Sequence, residues 1–233
     1  MHIVMILSHF YPVIGGAEKQ AQRMGESLAQ KGCRVTVLTP RYRGLTPCED
    51  LKGIEVHRLP VFGRSRMVFL SFVIACIAYI WRHRREIDIL QAHQLAGPGF
   101  IACLAGKIFA KPVITRIEGG SQNGSEIKLL AEKPFGLLRI KFMKRNTDFF
   151  IAVSRAIEKD LGEYGIHNVY FIPNGVDTGK FLAAGETDKV NLRGQLGLPP
   201  DRVIFTFAGR LEYVKGVDIL LQAWDMLSPG VKN

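Results

Sequence analysis

The chain has 233 residues, a formal net charge of +10, and 47% hydrophobic against 22% charged residues. This balance, with 14 Phe, is typical of a globular protein with a packed core and excludes an intrinsically disordered chain. The basic charge favours an anionic partner, such as a nucleotide diphosphate or an acidic lipid headgroup. Nucleic acid is disfavoured because no Lys/Arg-rich block with interleaved aromatic residues is present.

Short apolar runs alternate with longer helical stretches along the chain. The run His2–His9 predicts a first strand rather than a signal peptide, since no basic leader precedes it. Further strands are predicted at 34–39, 53–59, 88–92, 112–117, 148–153 and 168–172, and helices at 17–31, 67–85, 98–109, 135–145 and 154–164. Because the strands are apolar and alternate with helices, the sequence predicts an α/β fold with a doubly wound parallel sheet. Ligands should bind at the carboxyl ends of its strands.

One predicted helix raises the question of a membrane contact. The segment from Met67 to Trp81 is apolar except for Ser71, and basic residues flank it on both sides. As a helix it would be about 22 Å long, which is short of the roughly 30 Å of a bilayer core. We favour a buried helix packed on the sheet, with a peripheral contact to acidic lipid as the alternative.

The regular pattern breaks at Pro173-Asn174-Gly175, and residues 177–191 carry little periodicity. A new strand is predicted at 203–208 and a helix at 215–227, but one strand and one helix cannot bury their own faces. We predict a first domain over 1–180, an interdomain linker over 181–200, and the first strand and helix of an incomplete second domain over 201–233.

The cysteines give no sign of a metal site or a disulfide framework. Cys33, Cys48, Cys76 and Cys103 are scattered without a CxxC pair, and three of them lie in apolar runs. The pattern indicates buried thiols in a reducing compartment. No cluster of metal ligands is visible in the sequence, so no metal is predicted.

The turn between the first strand and the first helix contains Gly15 and Gly16. Two glycines let a ligand approach the backbone closely, and the helix that follows presents free N–H groups suited to a phosphate or carboxylate. An ordinary tight turn would look the same. No G-x-G-x-x-G fingerprint is present, which argues against a nicotinamide dehydrogenase.

A second motif follows the predicted strand 203–208. Gly209-Arg210 ends that strand, and Lys215 stands at the start of the next helix. A guanidinium fork and an ammonium near a helix N-terminus would hold a diphosphate. Taken alone, each residue is more typical of an ordinary surface side chain, whereas the whole string is much more specific.

His93 and Glu118-Gly119-Gly120 each follow the end of a predicted strand. A histidine in that position could donate to a sugar hydroxyl or stabilise developing charge, although a structural role is commoner. The glycines indicate close backbone approach. Glu118 is either a turn residue or a site carboxylate.

Three strings resemble the signature of family 4 retaining glycosyltransferases, which have the GT-B fold. They are Phe10–Glu18, Ile172–Asp177 and Gly209–Ala223, in the order of the family and at compatible spacing. The resemblance implies two Rossmann-like domains, of which the first binds the acceptor and the second binds the sugar nucleotide.

The resemblance also implies roles for particular residues. Arg210 and Lys215 match the pair that grips the donor diphosphate, and His93 resembles the histidine near the transferred sugar. The predicted catalytic residues are therefore His93, Arg210 and Lys215. The predicted substrate-binding residues are Gly15, Gly16, Glu118, Gly119, Asn174, Gly209, Arg210 and Lys215. No cofactor or metal is implied beyond the nucleotide-diphosphate sugar as co-substrate.

Two features depart from the family pattern. The family usually carries two glutamates with seven residues between them in its second domain, beyond the end of this sequence. Glu18/Glu26 and Glu118/Glu126 have that spacing in the first domain, and we interpret both as coincidences. Many relatives also have a histidine where this chain has Glu118.

The implied activity is transfer of a sugar from a nucleotide-diphosphate donor to a polysaccharide or lipid-linked glycan acceptor with retention. The expected location is cytoplasmic, with a peripheral contact to the inner face of the membrane. The alternative is a non-catalytic remnant that binds an acceptor or a partner.

Overall fold

The computed structural model describes residues 1–13, 15–121, 124–209, 211 and 213–227. The chain divides into two compact units, Met1–Asn174 and a second unit that begins at Gly175. The predicted limits of 1–180, 181–200 and 201–233 stay predictions, although the observed division lies close to the first of them.

The first unit is built on a sheet. Its strands are β1 (His2–Ile6), β2 (Arg34–Pro40), β3 (Cys48–Leu51), β4 (Ile54–Leu59), β5 (Ile89–His93), β6 (Val113–Ile117), β7 (Gly120–Ser121), β8 (Gly124–Ser125), β9 (Phe149–Ala152) and β10 (Val169–Phe171). Among the described residues, eight strands form one sheet in the order β10-β9-β6-β5-β1-β2-β4-β3, and β7 pairs with β8 in a short hairpin.

The strand order is that of a doubly wound sheet. The chain places β2 and β4 on one side of β1 and then returns to place β5 and β6 on the other side. Neighbouring strands are parallel except β3, which pairs antiparallel with β4. The predicted doubly wound parallel sheet is therefore confirmed, and β3 is an unpredicted antiparallel addition at one edge.

Helices cover both faces of this sheet. They are α1 (Gly16–Gln30), α2 (Arg66–His83), α3 (Phe100–Phe109), α4 (Glu126–Ala131), α5 (Gly136–Asn146) and α6 (Arg155–Glu163). Side chains alternate along β1, so Val4 and Ile6 join the core beneath α2 and α3, while Ile3 and Met5 join the core beneath α1. This two-sided burial explains why the strand reads as a continuous apolar run.

The structure corrects two expectations about the first unit. The helix α2 was predicted to be buried, but it buries one face only, and 22% of the stretch Arg66–His83 is buried. The cysteines were expected to be buried. Cys76 and Cys103 are buried, whereas Cys33 is half-buried and Cys48 is exposed. Cys48 is exposed because it lies on the edge strand β3, where no neighbouring strand covers it.

The second unit contains α7 (Glu186–Gln195) and α8 (Val217–Asp225). The helix α8 agrees with the prediction, whereas α7 lies in the segment predicted as linker. The strand predicted at 203–208 is wrong: the structure assigns these described residues to no strand. A strand forms only when a neighbour accepts its ladder hydrogen bonds, and the described part of this unit has none.

Candidate functional site

A narrow crevice, with about 0 Å³ of free volume for a water molecule, lies at the carboxyl ends of β1 and β5, where the strand order reverses. Ligands of open α/β sheets bind at this position because the connections on either side lead away in opposite directions and leave a gap. The segments that carry Gly15, Gly16 and His93 meet here, as expected from their places at strand ends. The crevice is lined by Leu7, Ser8, His9, Ala17, Glu18, His93 and Gln94.

The first helix begins beside the crevice. Gly15 is the N-cap residue of α1, and its carbonyl accepts a hydrogen bond from the Lys19 N–H at 3.0 Å. The Glu18 carboxylate folds back over this helix end and fills the space that a side chain at position 15 would need, whereas Gly16 has open space around it. The helix dipole stabilises such a carboxylate. Glu18 therefore places a negative charge beside the helix start where a ligand phosphate was expected, and its carboxylate can instead accept hydrogen bonds from hydroxyl groups.

His93 ends β5, and its side chain is only 1% exposed. Its Nδ1 lies 2.9 Å from Oε1 of Glu118, and its Nε2 lies 3.5 Å from the amide nitrogen of Gln91. An ionised carboxylate only accepts, so Nδ1 carries the hydrogen of that bond. Both ring nitrogens thus have protein partners. Its predicted contact with a transferred sugar stays a prediction.

A buried network extends from His93 across the sheet. Oε1 of Glu118 also accepts from Nε of Arg116 at 3.0 Å, and Nη2 of Arg116 donates to Oδ1 of Asn174 at 2.8 Å. The side chains of Glu118 and Arg116 are 4% and 7% exposed. The network therefore ties β5, β6 and the last residue of the first unit together.

Arg116 was not among the predicted site residues. The available signal was an arginine near the end of a mainly apolar strand, where burial demands a charged partner. Glu118, which the sequence left open as turn residue or site carboxylate, is that partner. Because Glu118 faces Arg116 and His93, its predicted contact with a substrate stays a prediction.

Glu126, at the start of α4, holds the loop that follows β6. Its Oε2 accepts from the Leu95 N–H at 2.6 Å, and its Oε1 accepts from the N–H groups of Gly119 at 3.0 Å and Glu118 at 3.3 Å. Burial raises the pKa of the Glu126 carboxyl above its ordinary value, although these donors oppose the shift. The Gly119 N–H, which was predicted to approach a ligand, therefore already has a partner.

The backbone is strained directly after His93. Gln94 has φ of +80° and ψ of 140°, a region that residues with a side chain rarely adopt. Its N–H donates to the Arg116 carbonyl at 2.9 Å, and a π-helical turn follows over Leu95–Gly99. Strained residues and π turns concentrate at functional sites, which agrees with the position of the crevice.

An open apolar groove adjoins the crevice through Ser8 and His9 and has a cavity volume of about 170 Å³. Aromatic and aliphatic side chains dominate its walls, and Ser8, His9, Tyr42 and Ser65 supply polar groups. The phenol oxygen of Tyr42 lies 3.1 Å from Nδ1 of His9. The remaining walls are Pro40, Val68, Phe69, Phe72, Gly97, Pro98 and Ile101.

The predicted donor site lies in the second unit. Lys215 is exposed in a short 3-10 turn, and Gly216, with φ of +64°, caps the start of α8. A Cβ on Gly209 would lie 4.0 Å from Cγ of Lys215, so these two predicted residues are neighbours. Arg210 lies outside the described residues. In the part of the chain that is described, no group of three potential metal ligands occurs.

The strand order and the switch-point crevice define a Rossmann-like α/β protein. The structure resembles sucrose-phosphate synthase from Thermosynechococcus elongatus with a TM-score of 0.72 at 20% identity, over 97% of this chain and 60% of that one. It resembles Anabaena Alr3699/HepE, solved in complex with UDP, with a TM-score of 0.69 at 18% identity, over 98% and 58% of the two chains. These likenesses show the GT-B type of fold.

The sequence decides the family. Residues 14–180 match Glycosyltransferase Family 4, and the chain belongs to that family. It is 35% identical over 240 aligned positions to the D-inositol 3-phosphate glycosyltransferase of Xylanimonas cellulosilytica, which covers 94% of this chain and 57% of the relative. The resemblance predicted from the three motifs is confirmed. The chain spans less than two thirds of the length of the relatives it matches.

Proposed function

We propose that this chain belongs to a retaining glycosyltransferase that moves a sugar from a nucleotide-diphosphate donor to a hydroxyl group of a polysaccharide or lipid-linked glycan. The observation that carries the proposal is the switch-point crevice, where Glu18 lies at the start of α1 beside an apolar groove. The family membership supplies the reaction class.

The side chains at the crevice, together with the adjoining groove, suit an acceptor better than a donor. A carboxylate and an imidazole, from Glu18 and His9, offer hydrogen-bond acceptors to sugar hydroxyls. The neighbouring groove offers apolar walls to a less polar part of the same molecule. A nucleotide diphosphate would instead meet the negative charge of Glu18.

His93, Glu118 and Arg116 would act as positioning residues for this acceptor edge. Their buried network fixes the ends of β5 and β6, so that the loops carrying the crevice keep one geometry. A preorganised edge lowers the cost of aligning the attacking hydroxyl group.

The donor diphosphate is assigned to the second unit. Arg210 and Lys215 would neutralise the charge that develops on the departing diphosphate, and such electrostatic stabilisation is a large part of the rate enhancement of many enzymes. Gly209 would let the donor approach the backbone beside Lys215. The UDP bound to Alr3699/HepE supports UDP as the first nucleotide to test.

Calorimetric titration with UDP and with GDP tests the donor assignment. We expect Arg210→Ala and Lys215→Ala each to weaken nucleotide binding about tenfold or more, because each removes a charge-assisted contact. The exposed residues Arg202 and Lys189 provide matched controls, and their alanine variants should bind as the wild type does. If all four variants bound the nucleotide as tightly as the wild type, Arg210 and Lys215 could not be assigned to the donor diphosphate.

A transfer assay distinguishes the enzyme from the alternative of a binding module without turnover. Release of nucleotide diphosphate from UDP-sugars and GDP-sugars would be followed with glycan and lipid-linked acceptors, for this chain and for a version with a complete second domain. Turnover by the present chain would exclude the binding module. Acceptor binding without turnover in both versions would contradict the proposed activity.

A further inference from the structure

Helix α2 carries an exposed apolar stripe along its whole length. Met67, Leu70, Ile74 and Trp81 are 64%, 59%, 62% and 59% exposed. Their spacing of three, four and seven residues places them on one side of the helix. Between Met67 and Trp81 the stripe is about 21 Å long, at about 1.5 Å per residue.

The opposite side of α2 fixes the helix to the sheet. Phe72, Val73, Cys76 and Ile80 belong to the main hydrophobic core. Within the described residues, α2 is the helix that is long and apolar enough to cross a membrane, with a mean hydropathy of 1.3. Its buried face would have to leave the core before it could do so, and the helix is therefore suited to lie along a membrane surface.

Basic residues surround the stripe. Between Glu55 and Glu86 the sequence contains no Asp or Glu. Arginines stand at both ends of the helix, and in the described part of the chain none of them forms an ion pair with a carboxylate. They are Arg64, Arg66, Arg82, Arg84 and Arg85.

We propose that the exposed face of α2 docks this protein onto the surface of an anionic lipid bilayer. The apolar stripe enters the boundary between headgroups and acyl chains, and the arginines at both ends contact acidic headgroups. Trp81 lies at the basic end, and its ring carries the Arg84 guanidinium at 5.5 Å from the centroid. A tryptophan beside arginines is typical of a membrane interface.

A second copy of the chain fits this face less well. Two α2 helices that met antiparallel would bring Arg64 and Arg66 of one copy against Arg82 and Arg85 of the other. Four like charges at each end of such a contact would repel. Acidic lipid has the complementary charge at both ends of the helix.

Docking through α2 would also bring the apolar groove to the bilayer. Val68, Phe69 and Phe72, from the first half of α2, form one wall of that groove. This step rests on the proposed function, since it places a lipid-linked acceptor in the groove. The docking itself is measured without turnover, so its failure is distinguishable from failure of the transferase proposal.

Fluorescence of Trp81 tests the docking directly. The chain has two tryptophans, and Trp224→Phe leaves Trp81 as the reporter. With vesicles of phosphatidylcholine and phosphatidylglycerol we expect a blue shift of the emission and quenching by brominated acyl chains. Vesicles of phosphatidylcholine alone should give neither change. An unchanged spectrum with acidic vesicles, or equal binding to both vesicles, would overturn the proposal.

Variants separate the two contributions in a flotation assay with the same vesicles. Leu70→Ser with Ile74→Ser should reduce binding at least about tenfold, because both side chains lose apolar burial. Arg82→Gln with Arg85→Gln should reduce it about 25-fold, at about fivefold per arginine. All four side chains are exposed, so folding should be preserved, as circular dichroism would verify.

A matched control removes the same number of apolar side chains elsewhere. Val190 and Leu192 on α7 are 62% and 47% exposed, and their double serine variant should bind acidic vesicles as the wild type does. An equal loss in this control would overturn the proposal. A second result would also overturn it. The wild type would sediment as a dimer and fail to bind vesicles, and the Leu70→Ser with Ile74→Ser variant would sediment as a monomer.

Discussion

Replacement of Glu118 by alanine is the most direct test of the buried network beside the crevice. Glu118 Oε1 accepts from His93 at 2.9 Å and from Arg116 at 3.0 Å, and all three side chains are at most 7% exposed. Removal of one partner from a buried charge pair costs about 3–5 kcal/mol. Arg116 keeps its 2.8 Å hydrogen bond to Asn174. We therefore expect the lower end, about 3 kcal/mol of unfolding free energy.

The loss can be measured by urea unfolding of the first unit. Trp81 lies in that unit, and Trp224→Phe removes the signal of the second unit. An unchanged dependence on urea with a lower midpoint would show reduced stability rather than a changed unfolded state. The melting temperature should fall by about 6–12 °C for a unit of this size.

Two further variants provide reference values for the stability loss of Glu118→Ala. Glu118→Gln keeps an acceptor oxygen but loses the charge, so it should cost about 1–2 kcal/mol. Glu158→Ala breaks the exposed pair with Arg155 at 2.7 Å and should cost about 0.5 kcal/mol or less. If Glu118→Ala costs no more than Glu158→Ala, the network does not support the fold and the positioning role of His93 is refuted.

Three further predictions concern stability. Gly106→Ala should cost about 1–3 kcal/mol, because a Cβ would collide with the side chain of Val113. A Cβ on Gly162 would meet nothing within 4 Å, so Gly162→Ala should raise the unfolding free energy by about 0.5–1 kcal/mol. Equal urea midpoints for the Gly106 and Gly162 variants would contradict both predictions. Burial, and secondarily Arg34, lowers the pKa of His2 below its ordinary 6.5, so the unfolded chain binds the proton more tightly. Unfolding free energy should therefore fall as pH drops below 6.5. His2→Gln should remove this dependence of the unfolding free energy on pH. An equal dependence in the variant would argue against His2 as its cause. The segment 1–180 should unfold cooperatively by itself in calorimetry, whereas a broad transition would contradict the predicted boundary.

Much of the first unit could be predicted because its local patterns agree with its tertiary structure. The strands are apolar on both faces, and the start of α6 follows a sequence rule, because the N-cap Ser154 accepts from the Ile157 N–H at 3.3 Å. The hairpin of β3 and β4 was missed. Its turn residues Lys52 and Gly53 both have positive φ. Such turns favour Asn, Asp or Gly at the first of these positions, so a lysine there did not indicate one.

The candidate site was predicted in position but not in its contacts. The sequence placed Gly15, His93 and Glu118 at the carboxyl ends of strands, where parallel topology brings them to one edge. It could not show that Glu118 pairs with His93, which lies 25 residues away. That pairing depends on how separate segments meet. The sequence also could not show that Glu18 covers the start of α1, because that depends on the conformation of its side chain.

The sequence by itself determined the alternation of strands and helices, the family, and the edge of the sheet at which Gly15, His93 and Glu118 lie. Only the tertiary structure decided which face of α2 is buried, because that helix is apolar all round and its periodicity selects no side. The same holds for the charged side chains. Burial and ion pairing arise from contacts between distant segments, and these are properties of the folded chain.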